Sequence, residues 1–416
     1  MIQLKRKIRV LHLIDRLGNG GAETLLRTFA AGIDRTRFEL YVAALRPAPG
    51  SHLAKELREM HVPIHEFNQH ASYDIPATVS IVSYIRRNHI DIIHTHLLGA
   101  DIMGRIAGFL TGRPVVSTVH SERADLDLEP GRRQILQRWS ARFMCRKLIV
   151  LSDLIKDDVS DWFGLPPGRV IVIPNGVDTE RFRRGADFDR AEMKRNLLGG
   201  EFPLVTNVAR LVPEKGQSSL IEAARIVTDA RPDVRFLLIG DGPLRAELEA
   251  QSAALGLSDK IIFAGFRGDV ADVLAASDVF VLSSVREGMP VALLEGMAAG
   301  RPAVVTNVGG MGQALENNVT GLMVPPADPQ ALADGILKYL NDRAFAEEMG
   351  RTAQTWVNEH YSMRAWVQKC EELYLAELGY KPYPGDKSRG PDPVTDTQTK
   401  QVELLPDEIG VSGGPG

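Results

Sequence analysis

The sequence predicts an α/β protein with two Rossmann-like domains, and three features of the chain support this. The chain has 416 residues, which is long for a single hydrophobic core. Short β-branched segments alternate with amphipathic ones, which is the pattern of a parallel sheet with helical crossovers. This pattern stops in a polar, charged stretch at 175–201 and then starts again. We therefore expect an N-terminal domain at 1–195 and a C-terminal domain at 196–360.

Each domain is predicted to hold six parallel strands. Those of the N-terminal domain lie at 8–15, 38–45, 91–96, 114–120, 147–152 and 170–174. Those of the C-terminal domain lie at 204–210, 234–240, 260–266, 278–284, 302–307 and 321–325. A final helix at 362–378 has Trp366, Cys370, Leu373 and Tyr374 at helical spacing, so one of its faces packs on another element. The segment 381–416 has six Pro, six Gly and few apolar side chains, which predicts a disordered tail.

Composition and charge narrow the class of protein. Hydrophobic residues make up 44% and charged residues 25%, as in ordinary soluble globular proteins. The two cysteines form neither a disulfide framework nor a metal-ligand pattern. The apolar stretch at 8–14 is interrupted by Arg9 and His12, and no run is long enough to span a bilayer, so we expect a cytoplasmic protein. Residues 1–147 hold 22 Lys and Arg against 14 Asp and Glu, whereas the remainder holds 27 against 39. This basic first part suggests an anionic partner.

Two glutamates near the end of one predicted strand form the most informative motif. Glu287 falls in the loop after the strand at 278–284, and Glu295 follows with seven residues between them. Pro290 suits a first helical turn, and the start of a helix attracts phosphate. Because helical side chains lean toward the N-terminus of their helix, Glu295 is expected to tilt back toward the Gly288 loop. The two carboxylates are thus predicted to meet one polyhydroxylated ligand.

Further candidate residues lie where other predicted strands end. Arg210 closes the first strand of the C-terminal domain and Lys215 follows just before a helix, which predicts a cradle for a diphosphate. Arg267 ends the third strand of that domain. Gly20 and Gly21 follow the first strand of the chain and allow a ligand to approach the backbone closely. This loop fails as a dinucleotide fingerprint, because Glu23 stands at the third glycine position and no acidic residue closes the second strand.

Together these motifs resemble the family 4 glycosyltransferases, which are retaining enzymes of the GT-B architecture with nucleotide-sugar donors. The resemblance covers residues 8 to 378 and includes the stretch at 172–178. It implies two domains whose parallel sheets face a central cleft, with the helix at 361–380 crossing back onto the N-terminal domain. Two positions depart from the family pattern: Gln313 stands where Glu is common, and Gly296, where Ala is usual, is expected to loosen its helix.

The resemblance also implies roles for individual residues. Glu295 would bind the ribose hydroxyls, Glu287 the donor sugar, and His120 the region of the transferred sugar, while His96 would border the acceptor cleft. Arg210 and Lys215 would neutralise the diphosphate, so no metal or other cofactor is expected. The implied catalytic residues are His120, Glu287, Arg210 and Lys215. The implied donor-binding residues are Gly20, Gly21, Arg210, Lys215, Arg267, Glu287, Gly288, Met289, Pro290, Val291 and Glu295.

Two other groups of possible metal ligands are interpreted as structural. His94 and His96 are expected to point to opposite faces of a strand, which argues against a shared metal site and makes His94 a packed core residue. Asp125 and Asp127 form an acidic pair in a charged loop without supporting ligands. We therefore predict no metal site in this protein.

The leading functional hypothesis is a glycosyltransferase that moves a sugar from a UDP- or GDP-linked donor to an acceptor hydroxyl with retention. The alternative on the same fold is a nucleotide-sugar epimerase or hydrolase; a dehydrogenase and a non-catalytic sensor are further hypotheses. A basic N-terminal domain favours a lipid-linked or polysaccharide acceptor at the inner membrane face, and no nucleic-acid partner is expected. The basic segment at 132–144, with Trp139, could lie on an anionic membrane or pack its apolar face on the sheet. The second interpretation is favoured, because every Rossmann helix needs such a face.

Overall fold

The computed structural model describes residues 6–18, 20–69, 74–120, 131–185 and 187–380. The predicted tail at 381–416 and the acidic pair Asp125 and Asp127 lie outside these residues. The described chain forms two fully parallel sheets, one of seven and one of six strands. The two-domain α/β prediction is therefore confirmed.

The first sheet has the strand order β3-β2-β1-β4-β5-β6-β7. Its strands are β1 (Ile8–Arg16), β2 (Phe38–Arg46), β3 (Ile64–Glu66), β4 (Ile92–His96), β5 (Val115–Thr118), β6 (Lys147–Val150) and β7 (Val170–Val172). The helices around it are α1 (Gly21–Gly32), α2 (His52–Glu59), α3 (Ile75–Arg87), α4 (Leu98–Thr111), α5 (Gly131–Met144) and α6 (Lys156–Phe163). The connection to the second sheet contains α7 (Thr179–Phe182) and α8 (Arg190–Leu198).

The second sheet has the order β10-β9-β8-β11-β12-β13. Its strands are β8 (Leu204–Val208), β9 (Arg235–Ile239), β10 (Ile261–Gly265), β11 (Val279–Leu282), β12 (Ala303–Thr306) and β13 (Leu322–Val324). Its helices are α9 (Gln217–Ala230), α10 (Arg245–Ala254), α11 (Val270–Ala276), α12 (Val291–Ala298), α13 (Met311–Ala314) and α14 (Pro329–Asn341), followed by α15 (Arg343–His360) and α16 (Met363–Glu377).

All twelve predicted strands are present, and one further strand was missed. That strand, β3, has three residues and lies at the edge of the first sheet beside β2. The equally short β7 and β13 are apolar throughout, whereas β3 has one apolar residue, Ile64, followed by His65 and Glu66, so no hydrophobic pattern marked it. In each sheet the order reverses direction beside the first strand, between β1 and β4 and between β8 and β11. Ligands of open parallel sheets bind at such positions, beyond the carboxyl ends of the strands.

The last helix, α16, packs on the N-terminal domain. Its buried residues Trp366, Val367, Cys370 and Tyr374 belong to the same apolar cluster as Phe29 of α1. At the start of α16 the chain pairs with the segment that follows β7, since Met363 N donates to Val177 O at 2.8 Å. The predicted crossing of this helix is therefore confirmed. The domain boundary at 195 stays a prediction; it falls within α8, which packs on α11 of the second half.

The two domains touch at the carboxyl ends of their sheets. Asn175 Nδ2 donates to the carbonyl of Met289 at 2.9 Å, and Asp153 N donates to Gln313 Oε1 at 3.2 Å. A Cβ atom on Gly288 would lie 2.9 Å from the carbonyl oxygen of His120, so this close approach requires glycine. These contacts bring the loop after β11 against the end of β5.

Candidate functional site

The Glu287 carboxylate is held by two donors on a single oxygen. Lys215 Nζ lies 2.6 Å from Glu287 Oε1, and Ser284 Oγ donates to the same atom at 2.8 Å. Among the described residues, Oε2 of Glu287 has no partner, so it can accept a hydrogen bond from a sugar hydroxyl. Helix α12 begins at Val291, with Pro290 as its N-cap and not within its first turn. The difference of one residue leaves the predicted geometry of the loop unchanged.

Glu295 lies within α12 and is nearly buried, with 8% of its surface exposed. Its carboxyl group makes no hydrogen bond or ion pair with a described residue. Burial raises its pKa to about 7, although the nearby cations Arg181 and Arg27 act to lower it. Buried polar groups in proteins almost always have partners, and perturbed carboxyl groups in clefts mark functional sites. This carboxyl group is therefore suited to accept hydrogen bonds from a ligand.

The lysine that holds Glu287 is positioned by a short, constrained loop. Lys215 ends a 3₁₀ turn at Pro213–Lys215, and the next residue, Gly216, is the N-cap of α9 with φ of 60°. A Cβ atom on Gly216 would lie 2.2 Å from the carbonyl oxygen of Ser283, so only glycine fits. Ser283 Oγ in turn donates to the carbonyl of Lys215 at 3.0 Å. The loop after β8 is thereby fixed against the end of β11.

Arg210 lies at the end of β8 and has an exposed side chain that makes no hydrogen bond with a described residue. It faces Glu23 of the N-terminal domain closely enough to act on the pKa of that carboxyl group, which burial raises. Glu23 was not among the predicted site residues, because the sequence showed it only as a mismatch to a glycine fingerprint. A Cβ atom on Gly20 would lie 2.5 Å from Glu23 Oε2, so Gly20 makes room for this carboxylate. The loop that contains Gly20 and leads into α1, called here the glycine loop, therefore makes room for the Glu23 carboxylate as well as exposing backbone groups.

The glycine loop contacts the loop between β11 and α12 that carries Glu287, called here the acidic loop. A Cβ atom on Gly21, the first residue of α1, would lie 3.7 Å from Cγ2 of Val291, the first residue of α12. Two helix N-termini therefore face the same region of the cleft.

Arg267, which was predicted to bind the donor, pairs with a neighbouring acid instead: its guanidinium donates to both carboxylate oxygens of Asp269, at 2.9 and 2.6 Å. A donor contact of the Arg267 side chain stays a prediction.

His120 is half-buried beside the acidic loop, and burial lowers its pKa to about 4. Its Nε2 lies 3.2 Å from Nδ1 of His96, and His96 Nε2 lies 3.0 Å from Nδ1 of His12. Both ring nitrogens of His96 are therefore engaged with other histidines, and the ring is buried. No ring nitrogen of His96 is thus left for an acceptor hydroxyl in this structure, and its place beside the acceptor cleft stays a prediction.

The expectation that His94 and His96 point to opposite faces is wrong. Residues two apart lie on the same face of a strand, and the two ring centroids are 4.3 Å apart. With His12 from the adjacent strand, their ring nitrogens form a group that could hold a metal ion, all within 4.8 Å of one another. His94 is a packed core residue, as predicted. Its two ring nitrogens contact Tyr374 Oη at 2.6 Å and Thr118 Oγ1 at 2.7 Å.

Two family models together match most of the chain. The family model described as Glycosyltransferase Family 4 matches residues 19–181, and the model described as Glycosyl transferases group 1 matches residues 188–356. The chain belongs to the family 4 glycosyltransferases. It is therefore a glycosyltransferase with two Rossmann-like domains in the GT-B arrangement, as the motifs predicted.

Individual family members match most of the chain. UDP-Gal:alpha-D-GlcNAc-diphosphoundecaprenol alpha-1,3-galactosyltransferase of Escherichia coli is 28% identical over 384 residues, which cover 89% of this chain and 97% of that enzyme. A GDP-mannose-dependent alpha-(1-6)-phosphatidylinositol monomannoside mannosyltransferase of Mycobacterium tuberculosis is 29% identical over 270 residues, covering 62% and 69% of the two chains. In structure, Anabaena Alr3699/HepE in complex with UDP-glucose matches with a TM-score of 0.79 and 24% identity, covering 89% of this chain and all of that one. This structural likeness concerns the fold.

The two departures from the family pattern have structural explanations. A Cβ atom on Gly296 would lie 2.6 Å from Cδ1 of Phe280 in β11, so glycine allows α12 to pack closely on this strand. The expectation that Gly296 loosens its helix is thus replaced by a packing role. Gln313 uses its side chain to accept the interdomain hydrogen bond from Asp153 N.

The apolar stripe of α5 faces outward, contrary to the favoured interpretation. Ile135 is 69% exposed, Trp139 47% and Phe143 63%. The buried face of α5 is polar instead, because it packs on the buried guanidinium of Arg105, whose Nη1 donates to Gln137 Oε1 at 2.6 Å. Since these apolar residues recur every four positions, they form one continuous stripe along the helix. None of the helices in the described part of the chain is long and apolar enough to cross a bilayer.

Proposed function

We propose that the protein is a retaining glycosyltransferase that moves a sugar from a UDP- or GDP-linked donor to a hydroxyl of a lipid-linked saccharide. The observation that carries the proposal is the nearly buried Glu295 carboxyl group, which has no hydrogen-bond partner among the described residues. It lies on the helix that follows Glu287, whose Oε2 is also open to a ligand. Ribose and hexose hydroxyls are the groups that two such carboxylates bind.

Charge at the diphosphate would be neutralised by the protein itself. Arg210 and Lys215 lie on the loop after β8, and the N-termini of α1 and α12 face the same region. Donors fixed before the reaction and aimed at developing negative charge usually supply the largest share of catalysis. These groups make a metal ion unnecessary for binding or for departure of the diphosphate.

The reaction proposed is a displacement on one face of the sugar. The acceptor oxygen forms a bond to the anomeric carbon while the bond from that carbon to the diphosphate oxygen breaks. The departing oxygen takes the proton of the acceptor hydroxyl, so no side chain serves as a covalent nucleophile. Glu287 Oε2 would orient the sugar hydroxyls during this step, and His120 would hold a hydroxyl beside it.

Product analysis tests the proposed reaction. With a matching donor and acceptor, we expect a new glycoside whose anomeric configuration, measured by NMR coupling constants, equals that of the donor. Without an acceptor, we expect turnover of the nucleotide sugar to fall by about two orders of magnitude, since water is a poor substitute for an oriented hydroxyl. Equal turnover without acceptor, giving free sugar or an epimerised donor, would instead identify the hydrolase or epimerase alternative.

The acceptor class is inferred from the exposed stripe of α5. Phe143 lines one groove together with Phe109 of α4, and the same groove is bordered by cations. The cations are Arg113, Arg142, Arg146, Lys147 and Arg169, against the single carboxylate of Glu377. Exposed aromatic residues surrounded by positive charge match the interface of an anionic bilayer. The relatives named for diphosphoundecaprenol and phosphatidylinositol acceptors agree with an acceptor held in such a bilayer.

Vesicle flotation tests this surface. The wild-type protein is expected to float with vesicles containing phosphatidylglycerol and not with pure phosphatidylcholine. Removing two aromatic side chains of the exposed α5 stripe by Trp139→Ala and Phe143→Ala should lower the bound fraction at least about tenfold. Each aromatic ring buried in the bilayer contributes on the order of 1 to 3 kcal/mol. The matched control is Phe266→Ala, which removes a half-exposed phenyl ring from the other domain and should float like the wild type. Binding that is unaffected by lipid charge and by the double substitution would contradict the proposed membrane contact.

A further inference from the structure

A continuous chain of hydrogen-bonding rings leads from the cleft into the N-terminal core. It starts at His120 Nε2 and passes through His96 and His12, with the ring-to-ring distances of 3.2 and 3.0 Å. His12 Nε2 then lies 3.1 Å from Oη of Tyr374, which lies 2.6 Å from Nδ1 of His94. The chain thus joins three strands of the first sheet to the crossover helix α16.

The chain ends at a buried hydroxyl group. His94 Nε2 lies 2.7 Å from Thr118 Oγ1, and Thr118 is buried. At the other end, Nδ1 of His120 has no hydrogen-bond partner among the described residues. The chain therefore has one closed end in the core and one open end at the cleft.

Only two hydrogen arrangements satisfy such a chain, because the Tyr374 hydroxyl must donate to one neighbour and accept from the other. If it accepted from both His12 and His94, its own hydrogen would have no acceptor among the described residues. Burial lowers the pKa values of His12, His94, His96 and His120, so each ring is neutral and has one N–H and one accepting nitrogen. Each contact holds a single hydrogen, so fixing one ring fixes its neighbour. Following the contacts from end to end, the four rings carry their hydrogens either all on Nδ1 or all on Nε2.

The Thr118 hydroxyl distinguishes the two arrangements. If the rings carried their hydrogens on Nε2, His94 would donate to Thr118, and the Thr118 hydrogen would have no acceptor among the described residues. If the rings carry them on Nδ1, Thr118 donates to His94, His94 to Tyr374, and Tyr374 onward to His12. Every buried donor then has an acceptor, which is the state that native structures favour.

We infer that Thr118 and Tyr374, acting through the three buried histidines, hold His120 with its hydrogen on Nδ1, as a hydrogen-bond donor to the cleft. Its Nε2 accepts from His96 Nδ1–H, so the neutral ring has no nitrogen lone pair free to take a proton from the substrate. His120 therefore holds an oxygen of the substrate and takes no proton from it. This conclusion about substrate rests on the proposed function, whereas the arrangement of hydrogens in the chain does not. Thr118 and Tyr374 act as positioning residues, since both are buried and act only through other side chains.

A metal ion at the three buried histidines is the competing interpretation. Each ring nitrogen of His12, His94 and His96 already contacts another ring or a hydroxyl group. A metal ion would need lone pairs from three of these nitrogens and would break the chain. The two interpretations therefore exclude each other and can be separated by metal analysis of the purified protein.

Nitrogen-15 NMR of histidine-labelled protein tests the inference directly. Long-range correlations distinguish the N–H from the lone-pair nitrogen of each ring, and single histidine substitutions assign the signals. In the wild type we expect all four rings as the Nδ1–H form, which is diagnostic because the Nε2–H form predominates in free histidine. Any ring of the four in the Nε2–H form, or a bound metal at stoichiometric level, would overturn the inference.

Substitutions at the closed end show whether the chain carries the effect. Thr118→Val removes a hydroxyl group that can both donate and accept, with little change of shape. Neither arrangement then gives His94 Nε2 a partner, so we expect the His120 hydrogen to be shared between Nδ1 and Nε2. Thr118→Ser retains the hydroxyl group and should keep the wild-type pattern. Tyr374→Phe interrupts the chain at its centre and should leave His120 in a mixture of both forms. An unchanged His120 signal in both Thr118→Val and Tyr374→Phe would overturn the coupling.

Steady-state kinetics test whether the histidine chain affects sugar transfer. In Thr118→Val we expect kcat to fall about two- to tenfold, since the chain no longer holds the His120 hydrogen toward the substrate, while the affinity for the nucleoside diphosphate alone stays the same. Thr118→Ser should restore kcat. If the wild type binds no nucleotide sugar, the proposed function fails, and the NMR result still decides the inference about the histidine chain. If kcat of Thr118→Val equals that of the wild type while the His120 hydrogen is shared between both nitrogens, the role of this hydrogen in transfer is refuted.

Discussion

Replacing Glu295 by glutamine is expected to weaken binding of the nucleotide-sugar donor about ten- to a hundredfold, the range for losing hydrogen bonds to a charged group. Glu295 is 8% exposed and its carboxyl group has no partner among the described residues, so ligand hydroxyls are suited to supply its hydrogen bonds. Glutamine keeps the shape and one accepting oxygen but lacks the charge. Calorimetric titration of UDP, GDP, ADP and their sugars, without added metal, measures the effect and identifies the donor class.

Glu371 provides a matched control for this substitution. It lies on α16, is buried to a similar degree, and burial likewise raises its pKa to about 7. Its Oε1 accepts a hydrogen bond from Asp34 N, far from the cleft. Glu371→Gln should leave donor binding unchanged. Equal loss in both variants would show that the effect comes from folding, and no loss in either would remove the main support for the donor site.

The raised pKa of Glu295 predicts how donor binding depends on pH. The ionised carboxylate is the form that accepts hydrogen bonds from hydroxyls, so binding should strengthen as the pH rises through about 7. Affinity at pH 6 should be about tenfold lower than at pH 8, because roughly a tenth of the groups are ionised there. The ligand should be an intact nucleotide sugar, since its diphosphate does not titrate in this range. Glu295→Gln should abolish this pH dependence.

The raised pKa of Glu295 also makes the folding stability depend on pH. Its pKa in the folded protein, about 7, is above the ordinary value of 4.5, so the folded state holds this proton more tightly than the unfolded state. This contribution to stability is complete below pH 4.5 and is lost as the pH rises toward 7. At pH 8, where the wild type holds a buried charge, Glu295→Gln should therefore have the higher Tm. A lower Tm at that pH would contradict the described burial of the carboxylate.

Replacing Lys215 by alanine is expected to lower kcat by roughly two to three orders of magnitude, as for other preorganised groups that stabilise a leaving charge. Lys215 is the only lysine within 4 Å of Glu287 in the described residues, at 2.6 Å from Oε1. The substitution removes a cation from the diphosphate and a partner from Glu287. Steady-state and single-turnover kinetics separate the loss in the chemical step from a loss in binding.

Lys194→Ala is the control for Lys215→Ala, because it also removes a half-buried lysine that pairs with a carboxylate. Lys194 pairs with Asp278 at 2.5 Å, and its side chain is 14% exposed against 20% for Lys215. Lys194→Ala should reduce Tm and leave kcat near the wild-type value. In the double variant Lys215→Ala with Glu287→Gln, stability should recover because no unpaired carboxylate remains, whereas activity should stay low. Full activity of Lys215→Ala would exclude this lysine from the reaction.

The sequence by itself determined the two domains, the positions of twelve strands along the chain and the loops that carry the candidate site. Strong periodic patterns and residues such as Gly288, Lys215 and Glu295 are local signals, so they can be interpreted without knowing which segments become neighbours. The resemblance to a family rested on the same local motifs. It correctly placed the last helix on the first domain.

Tertiary structure alone decided which side chains share an environment. The partner oxygen of Lys215 became apparent only when β8 and β11 were seen to be neighbours in the second sheet. The acid Glu23 beside Arg210 became apparent only from the contact between the two domains. The polar inner face of α5 depends on Arg105, which comes from a different helix, and this turned the expected packing face toward solvent. The histidine chain joins three strands and a helix about 280 residues later, as the Tyr374 to His94 contact shows. Such contacts depend on the alignment of distant segments, and a period of two or 3.6 residues contains no information about that alignment.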